Sequence, residues 1–475
     1  IQGRLAHDTR CVFARFSEGL RMKVEHVTSG GGENAKGGAG TGRRFGVACD
    51  IGTTTLACYL VDASGGLIGS ASAKNPQASR GSDVISRVVR ASAGANALEE
   101  LTREVRGAVA GLVSALAEGA GLDMSGCDTM VVAGNSVMEL LFMGVSPASL
   151  GSSPFTLPIR SFEPRPAGEL GLAPVPDETP VHALPLMDAF VGGDTAAVIY
   201  EVTEEAILRG EEHLTRLVMD LGTNGEIALL HRGEATVCST AAGPAFEGVG
   251  IKCGMPAVAG AVSAMISDGG SLYCRTVGGA PARGLCGSGL VDVVALLLRE
   301  GVLTEDGAMD GRAPSFLAGR IEGSGRDRRF VLCESAAGAV AVWQSDVRKF
   351  QLAKGALQAG VDLLLAHCGL TARDVDECVL AGAFGSAIRH DSLVEIGLLP
   401  AALSGRVRSI GNGAGLGAVR ILRDGEEGRA RVERLAREAR HIRLETAPGF
   451  QELFLESLRL SPNQAEIPRQ KPASG

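Results

Sequence analysis

Two stretches of the 475-residue chain end an apolar run on an acid and follow it at once with glycine and threonine: "FGVACDIGTTT" at 45–55 and "RLVMDLGTNGE" at 216–226. A plain turn needs Gly or Asn, not an acid at the mouth of a buried strand. Glycine lets the backbone come close to a ligand, successive N–H groups form an anion nest, and threonine hydroxyls add donors. Phosphate fits such a nest. A carboxylate beside phosphate would repel it unless a divalent cation stands between, and Mg2+, which keeps its waters, is the natural bridge. The residue types point to a nucleotide polyphosphate. Asp50 and Asp220 are the candidate acids, holding Mg2+ through water. Gly52, Thr53 and Thr54 in the first turn, and Gly222, Thr223, Asn224 and Gly225 in the second, are the candidate phosphate contacts. Glu226 is the candidate for orienting water or metal. The bland alternatives are strand-end turn acids, β-forming threonines and a solvated strand glutamate.

The elements that position these residues repeat. From Phe45 the pattern reads strand, tight turn, strand, hairpin turn, strand, and 216–241 has the same order at nearly the same lengths, an internal duplication. A second pair supports it: "DTMVVAGNSVMELL" (128–141) matches "DECVLAGAFGSAIR" (376–389). Gly134 follows Asp50 by 84 residues and Gly382 follows Asp220 by 162, so about 78 extra residues are expected between 242 and 375. The predicted organisation is one α/β half over 45–205, a second with an insertion over 206–425, and a C-terminal helix and tail over 426–475. Segments 97–118 and 347–366 show helical periodicity. Gly287 and Ser288 start the helix "LVDVVALLL", with Ser288 near its N-cap, where an anion can also be held. Gly382 and Gly385 read as an adenine-ribose wall or as packing glycines. Asp194 in "FVGGDTAA" reads as a helix cap, with a functional role as the alternative. "GNGAG" (411–415) lacks the βαβ context of a dinucleotide loop. The charged run 423–440 reads as a solvated helical face.

Bulk properties narrow the class. A formal net charge of −8 gives no basic footprint for nucleic acid. No apolar run reaches the roughly 18 residues of a membrane span, and residues 1–27 lack the pattern of a signal peptide. The eleven cysteines form no C-x-x-C pair, and Cys49, Cys58, Cys238 and Cys378 lie in apolar runs, so they read as buried hydrophobes in a reducing cytoplasm. No iron–sulfur cluster is expected in this chain. Residues 28–44 are Gly-rich and read as a flexible linker, so what precedes them is expected to be tethered rather than packed. The chain starts at Ile1 and reads as cut from something longer. No G-x-x-x-x-G-K-[ST] is present, which excludes a Walker-type phosphate loop.

Both turns, "DIGTTT" and "DLGTNGE", with "VVAGNSVM" and "VLAGAFGSAI" in order, resemble the actin-like ATPase superfamily. That resemblance implies two duplicated, ribonuclease H-like α/β halves with a nucleotide cleft between them, binding ATP and Mg2+. "MDLGTNGE", "CSTAAGPAFEGVGIKCGMPAVAGAV" (238–262), "GLCGSGLVD", "VRKFQLAKGA", "IGNGAGLGA" and "APGFQELFLESL" are similar to the ATP-dependent reductive activators of corrinoid-dependent enzymes. Such activators use ATP to help drive cobalt(II) corrinoids to cobalt(I), with electrons entering through an iron–sulfur module. The implied partner is a corrinoid protein or a corrinoid-dependent methyltransferase, and a homodimer is compatible with this reading. The chain departs from the pattern in places. Residues 3–25 resemble only the tail of a ferredoxin domain, His7 stands at the last cluster cysteine, and the cysteine-rich loop is absent, so an external low-potential donor is implied. Glu139 and Leu140 stand where the resemblance implies histidine. The rival readings are a small-molecule kinase and a non-catalytic nucleotide-dependent scaffold.

Overall fold

The structure is a computed structural model that describes residues 22–25, 44–81, 83–335, 338–382 and 388–461. His7, nearly all of the expected ferredoxin remnant and of the Gly-rich linker, Gly385 and the end of the tail lie outside the described residues. Two compact units are present: residues 1–208 with 413–439, and residues 209–412 with 440–475.

The first unit is built on a seven-stranded sheet. Its strands are β1 (Met22–Glu25), β2 (Phe45–Ile51), β3 (Thr55–Asp62), β4 (Leu67–Lys74), β5 (Cys127–Gly134), β6 (Arg165–Pro166) and β7 (Pro180–Ala183), in the order β1-β4-β3-β2-β5-β7-β6. β2, β3 and β4 form an antiparallel meander, and β5 and β7 extend it in parallel with β2. β1 pairs antiparallel with β4, so the expectation that what precedes the 28–44 linker is merely tethered needs correcting: backbone hydrogen bonds hold residues 22–25 on the sheet. The helices are α1 (Val84–Ala91), α2 (Ala95–Gly119), α3 (Ser136–Met143) and α4 (Gly193–Arg209). α2 repeats apolar residues at helical spacing, and Leu101, Val105, Leu112 and Leu116 are buried in the same core as Val47, Cys49 and Leu56.

The second unit has a six-stranded sheet, with β8 (Arg216–Leu221), β9 (Gly225–His231), β10 (Glu234–Thr240), β17 (Glu377–Ala381), β18 (Val407–Gly411) and β19 (Arg440–His441) in the order β18-β17-β8-β9-β10-β19. Its central run β10-β9-β8-β17-β18 repeats the order β4-β3-β2-β5-β7, again an antiparallel meander continued by two parallel strands. Between β10 and β17 come two three-stranded sheets: β11 (Ala261–Asp268) with β12 (Ser271–Thr276) and β13 (Gly284–Leu285), and β14 (Ile321–Glu322) with β15 (Arg329–Ser335) and β16 (Gly338–Trp343). They fall inside the span where extra residues were expected. The helices are α5 (Gly287–Arg299), α6 (Gln344–His367), α7 (His390–Glu395) and, near the C-terminus, α9 (Phe450–Glu456). Buried Asp292 ties α5 to its neighbours, accepting from Met265 N at 2.6 Å and from Ser392 Oγ at 2.9 Å.

The remaining helix, α8 (Gly413–Glu438), packs with the first unit, although the sequence placed 413–425 with the second half. Its glycines explain the packing. A Cβ at Gly415 would overlap the Tyr59 ring, and one at Gly417 would overlap the Ala197 backbone. Gly415, the last residue of the "GNGAG" run, and Gly417 beyond it are therefore close-packing contacts. The charged run 423–440 is a mostly exposed helical face, as expected, with Asp424 and Arg431 turned toward α4. Arg420 pairs with Glu201, Arg431 with Glu204 at 3.0 Å, and Tyr200 Oη donates to Asp424 at 2.8 Å, all joining α8 to α4. No helix among the described residues is long and apolar enough to cross a membrane.

Candidate functional site

β2 and β5 run in parallel side by side, with Asp50 opposite Ala133 and Ile51 opposite Gly134, so both leave the sheet at the same edge. In open α/β sheets ligands bind outside this carboxyl edge. The turn after Asp50 is held from behind. Asn75 donates from Nδ2 to Gly52 O at 2.9 Å and from its backbone N–H to Thr54 O at 2.8 Å. Arg87 of α1, fully buried, donates to Thr53 O and to Gly81 O. Burial pulls the Arg87 pKa down to about 10, which still leaves it charged near neutrality. The carbonyls of Gly52, Thr53 and Thr54 are thus all engaged by protein donors, which removes the oxygens that would repel phosphate. Asn135, the N-cap of α3, accepts from Met138 N at 3.0 Å and donates from Nδ2 to Thr53 Oγ1 at 2.9 Å. Because Thr53 accepts there, its own hydroxyl proton remains to be given. A Cβ at Gly52 would lie 2.5 Å from Thr55 O, so the turn requires glycine.

The second turn follows Asp220, the last but one residue of β8, which lies opposite Glu226 and Ala381. Gly222 N donates to Asn224 O at 3.1 Å. Thr223 and Glu226 are both buried. Thr223 Oγ1 donates to Glu247 Oε2 at 3.0 Å, so its hydroxyl proton is directed to that acid rather than outward. The glycines divide by cause. A Cβ at Gly222 would meet nothing nearer than 3.4 Å, leaving room for close approach. At Gly225 it would overlap Leu357 of α6, so packing demands that glycine. Gly382 has φ +90°, and a Cβ there would lie 2.8 Å from Asp220 Oδ1, so the "AGAFG" glycine is brought directly against the acid. Ser288 is buried, with Oγ 3.3 Å from Cys286 Sγ. The N-cap of α5 is Cys286 rather than Ser288, and Gly289 packs against Val262 O.

Among the described residues no group of His, Cys, Asp or Glu is assembled as a ready-made metal cage. Single strand-end carboxylates suit a cation that keeps its waters, which fits Mg2+ better than Ca2+ or Zn2+. Asn75, Arg87, Asn135 and Glu247 were not assigned from sequence. Asn135 carried a usable signal, since Asn immediately before a helix start is an N-cap pattern. Arg87 carried none, because only tertiary contacts reveal that an arginine of α1 reaches the turn.

This arrangement defines a class, an α/β protein of the ASKHA, or actin-like, fold. Residues 45–204 match the family model described as the RACo middle region, and residues 214–471 match that of the C-terminal domain of RACo, the ASKHA domain. The chain belongs to this RACo-type ASKHA family. It is 35% identical over 428 residues to the corrinoid activation enzyme RamQ of Eubacterium limosum, covering 88% of this chain and 71% of that protein. It is 25% identical over 235 residues to a [Co(II) methylated amine-specific corrinoid protein] reductase of Methanosarcina barkeri, covering 44% of this chain and 38% of that one. The solved structure of a reductive activator for a corrinoid, iron–sulfur protein superposes with a TM-score of 0.79 at 31% identity, covering 89% of this chain and 67% of that chain.

Proposed function

We infer that this chain performs ATP-dependent reductive activation of a corrinoid protein, helping to take cobalt(II) to cobalt(I). The observation that carries this is the 35% identity to a corrinoid activation enzyme across 88% of the chain, beside family matches over residues 45–204 and 214–471 that take in both acid-glycine-threonine turns. We read the matching sheet orders of the two units as duplicated ribonuclease H-like halves that share one nucleotide in a cleft between them. In that reading Thr53, Thr54 and the N–H groups of the first turn contact phosphate, and Gly222, Thr223, Asn224 and Gly225 line it from the second. Asp50 and Asp220 would hold the waters of Mg2+, whose charge offsets that of the phosphates when bound. Glu226 orients water, and Gly382 and Gly385 flank the adenosine. Gly287 and Ser288 have the weakest claim, since Ser288 is buried against Cys286.

A nucleotide shifts a conformational equilibrium only by its differential affinity for the two states. ATP binding and hydrolysis would thereby bias a partner corrinoid toward a cobalt coordination that accepts an electron. That electron would come from an external low-potential donor. The test is phosphate release from Mg-ATP under anaerobic conditions. Stimulation by a cobalt(II) corrinoid protein is expected. Stimulation by a sugar or small acid instead would make the chain a kinase.

A further inference from the structure

The loop that continues from the acid of the second turn has a surface of its own. Glu247, which accepts from Thr223, ends a 3-10 turn over Pro244–Glu247. The chain then makes a closed loop to Gly254. A Cβ at Gly248 would overlap Met255 O and one at Gly254 would overlap Gly248 O, so glycine contacts pin both feet of the loop. α6 holds its side. Asp346 Oδ1 accepts from Lys252 N at 3.3 Å, and Lys349 Nζ donates to Gly250 O. The loop is thus held in shape, with Val249 and Lys252 exposed.

The residues around it combine apolar, aromatic and cationic groups. Lys252 Nζ lies 4.9 Å from the ring centre of Trp343, the single tryptophan of the chain, at the end of β16. Arg329 stands 5.7 Å from the same ring but is committed to Glu322 at 2.7 Å. Arg348, Lys349 and Leu352 follow on one exposed stripe of α6. Val249 is 42% exposed and Leu352 52%, so both offer apolar area to a partner. The acid in their midst is turned inward: Asp346 is fully buried and accepts from the backbone N–H groups of Lys252 and Trp343. Lys252 sits on a ring and Lys349 on a carbonyl, partners that leave their positive charges uncancelled. A tryptophan with apolar side chains, rimmed by charge, has the anatomy of a protein interface.

We propose that this surface, the 248–254 loop with Trp343 and the N-terminal part of α6, docks an acidic face of the corrinoid protein. This rests on the corrinoid reading above. The occupant follows from charge. The chain carries a formal net charge of −8, so its overall field repels an acidic protein, and the local group of Lys252, Arg348 and Lys349 is where such a face is accepted and oriented. A nucleic-acid backbone would satisfy the cations but leave Val249 and Leu352 uncovered. On docking, Lys252 exchanges the Trp343 ring for a carboxylate, which places an optical reporter inside the contact.

The experiment uses the full chain and two probes, a cobalt(II) corrinoid protein and poly-L-glutamate. Anaerobic dissociation constants are measured at low and high salt for the wild type, Lys252→Glu, Lys349→Glu and the charge-keeping Lys252→Arg, with thermal unfolding to show that each is folded. Each charge reversal should weaken both probes by on the order of 10-fold, and Lys252→Arg should keep most of the affinity. Wild-type affinity should fall as salt rises. Poly-L-glutamate should change the Trp343 fluorescence of the wild type and have much less effect on that of Lys252→Glu. Basal phosphate release from Mg-ATP should match wild type in both reversals, while the corrinoid protein concentration that half-saturates its stimulation rises with the dissociation constant. Folded Lys252→Glu and Lys349→Glu that bind the corrinoid protein as tightly as wild type overturn the proposal. Tighter binding of oligo(dT) than of poly-L-glutamate, lost in Lys252→Glu, would make this a nucleic-acid surface and also overturn it. Failure of the corrinoid protein to bind the wild-type chain at low salt, with ATP turnover intact, would instead overturn the corrinoid reading itself.

Discussion

At the scale of the residue, the two strand-end acids and their glycines make separable predictions. Asp50→Ala and Asp220→Ala should each reduce Mg-ATP turnover by roughly 10²-fold, the loss expected when a group stabilising phosphoryl charge is removed. Steady-state phosphate release, with thermal unfolding as a control, checks this. The glycines of the second turn separate folding from binding. Gly222→Ala meets no atom nearer than 3.4 Å, so its stability should match wild type while its affinity for Mg-ATP falls. Gly225→Ala must displace Leu357, and overpacking of this kind costs about 1–3 kcal/mol. Urea unfolding of both variants tests the contrast, and equal destabilisation would contradict the assignment of Gly222 to ligand approach.

At the scale of the element, α6 clamps the C-terminal segment. Lys354 is fully buried and its Nζ donates to Gln358 Oε1, to Ser457 O and to Arg459 O, while Gln351 Nε2 donates to Leu458 O at 2.9 Å. Burial pushes the Lys354 pKa down to about 7 against the opposing charge of Asp362. Lys354→Met keeps the volume but orphans those carbonyls. It should cost about 2–3 kcal/mol and expose residues 457–461 to limited proteolysis. Much at this scale was legible in sequence. Periodicity gave α2 and α6, and the repeated strand-turn-strand pattern gave both meanders. What sequence missed depends on contacts distant along the chain. α8 joins the first unit because glycines 415 and 417 admit Tyr59 and Ala197, and no local pattern announces that. β1 was hidden by the Gly-rich run that follows it, since a linker says nothing of the strand it tethers. Thr53 and Thr223 look equivalent in sequence, but Asn135 donates to the first and Glu247 accepts from the second. The candidate acids and glycines could be proposed from sequence because chemistry restricts their types, whereas Arg87 and Asn75 support the turn through ordinary hydrogen bonds that many residue types could supply.

At the scale of the whole molecule, the account separates the ATP-using part from electron entry. Among the described residues, burial pushes the thiols of Cys127 and Cys378 up to about 12, and Cys238 is raised as well. Cluster ligands must be thiolates. Anaerobic reconstitution of this chain with iron and sulfide should therefore leave no stoichiometric chromophore, and iron analysis with visible absorption checks that. The central claim is that ATP use is coupled to the cobalt of a corrinoid partner. It is tested most directly by the anaerobic visible spectrum of a cobalt(II) corrinoid protein mixed with this chain, Mg-ATP and a low-potential chemical reductant, beside the Asp220→Ala variant. The account predicts cobalt(I) absorption that grows with ATP and the wild-type chain and is much slower without ATP or with the variant. Cobalt(I) appearing equally fast in all of these mixtures would contradict it.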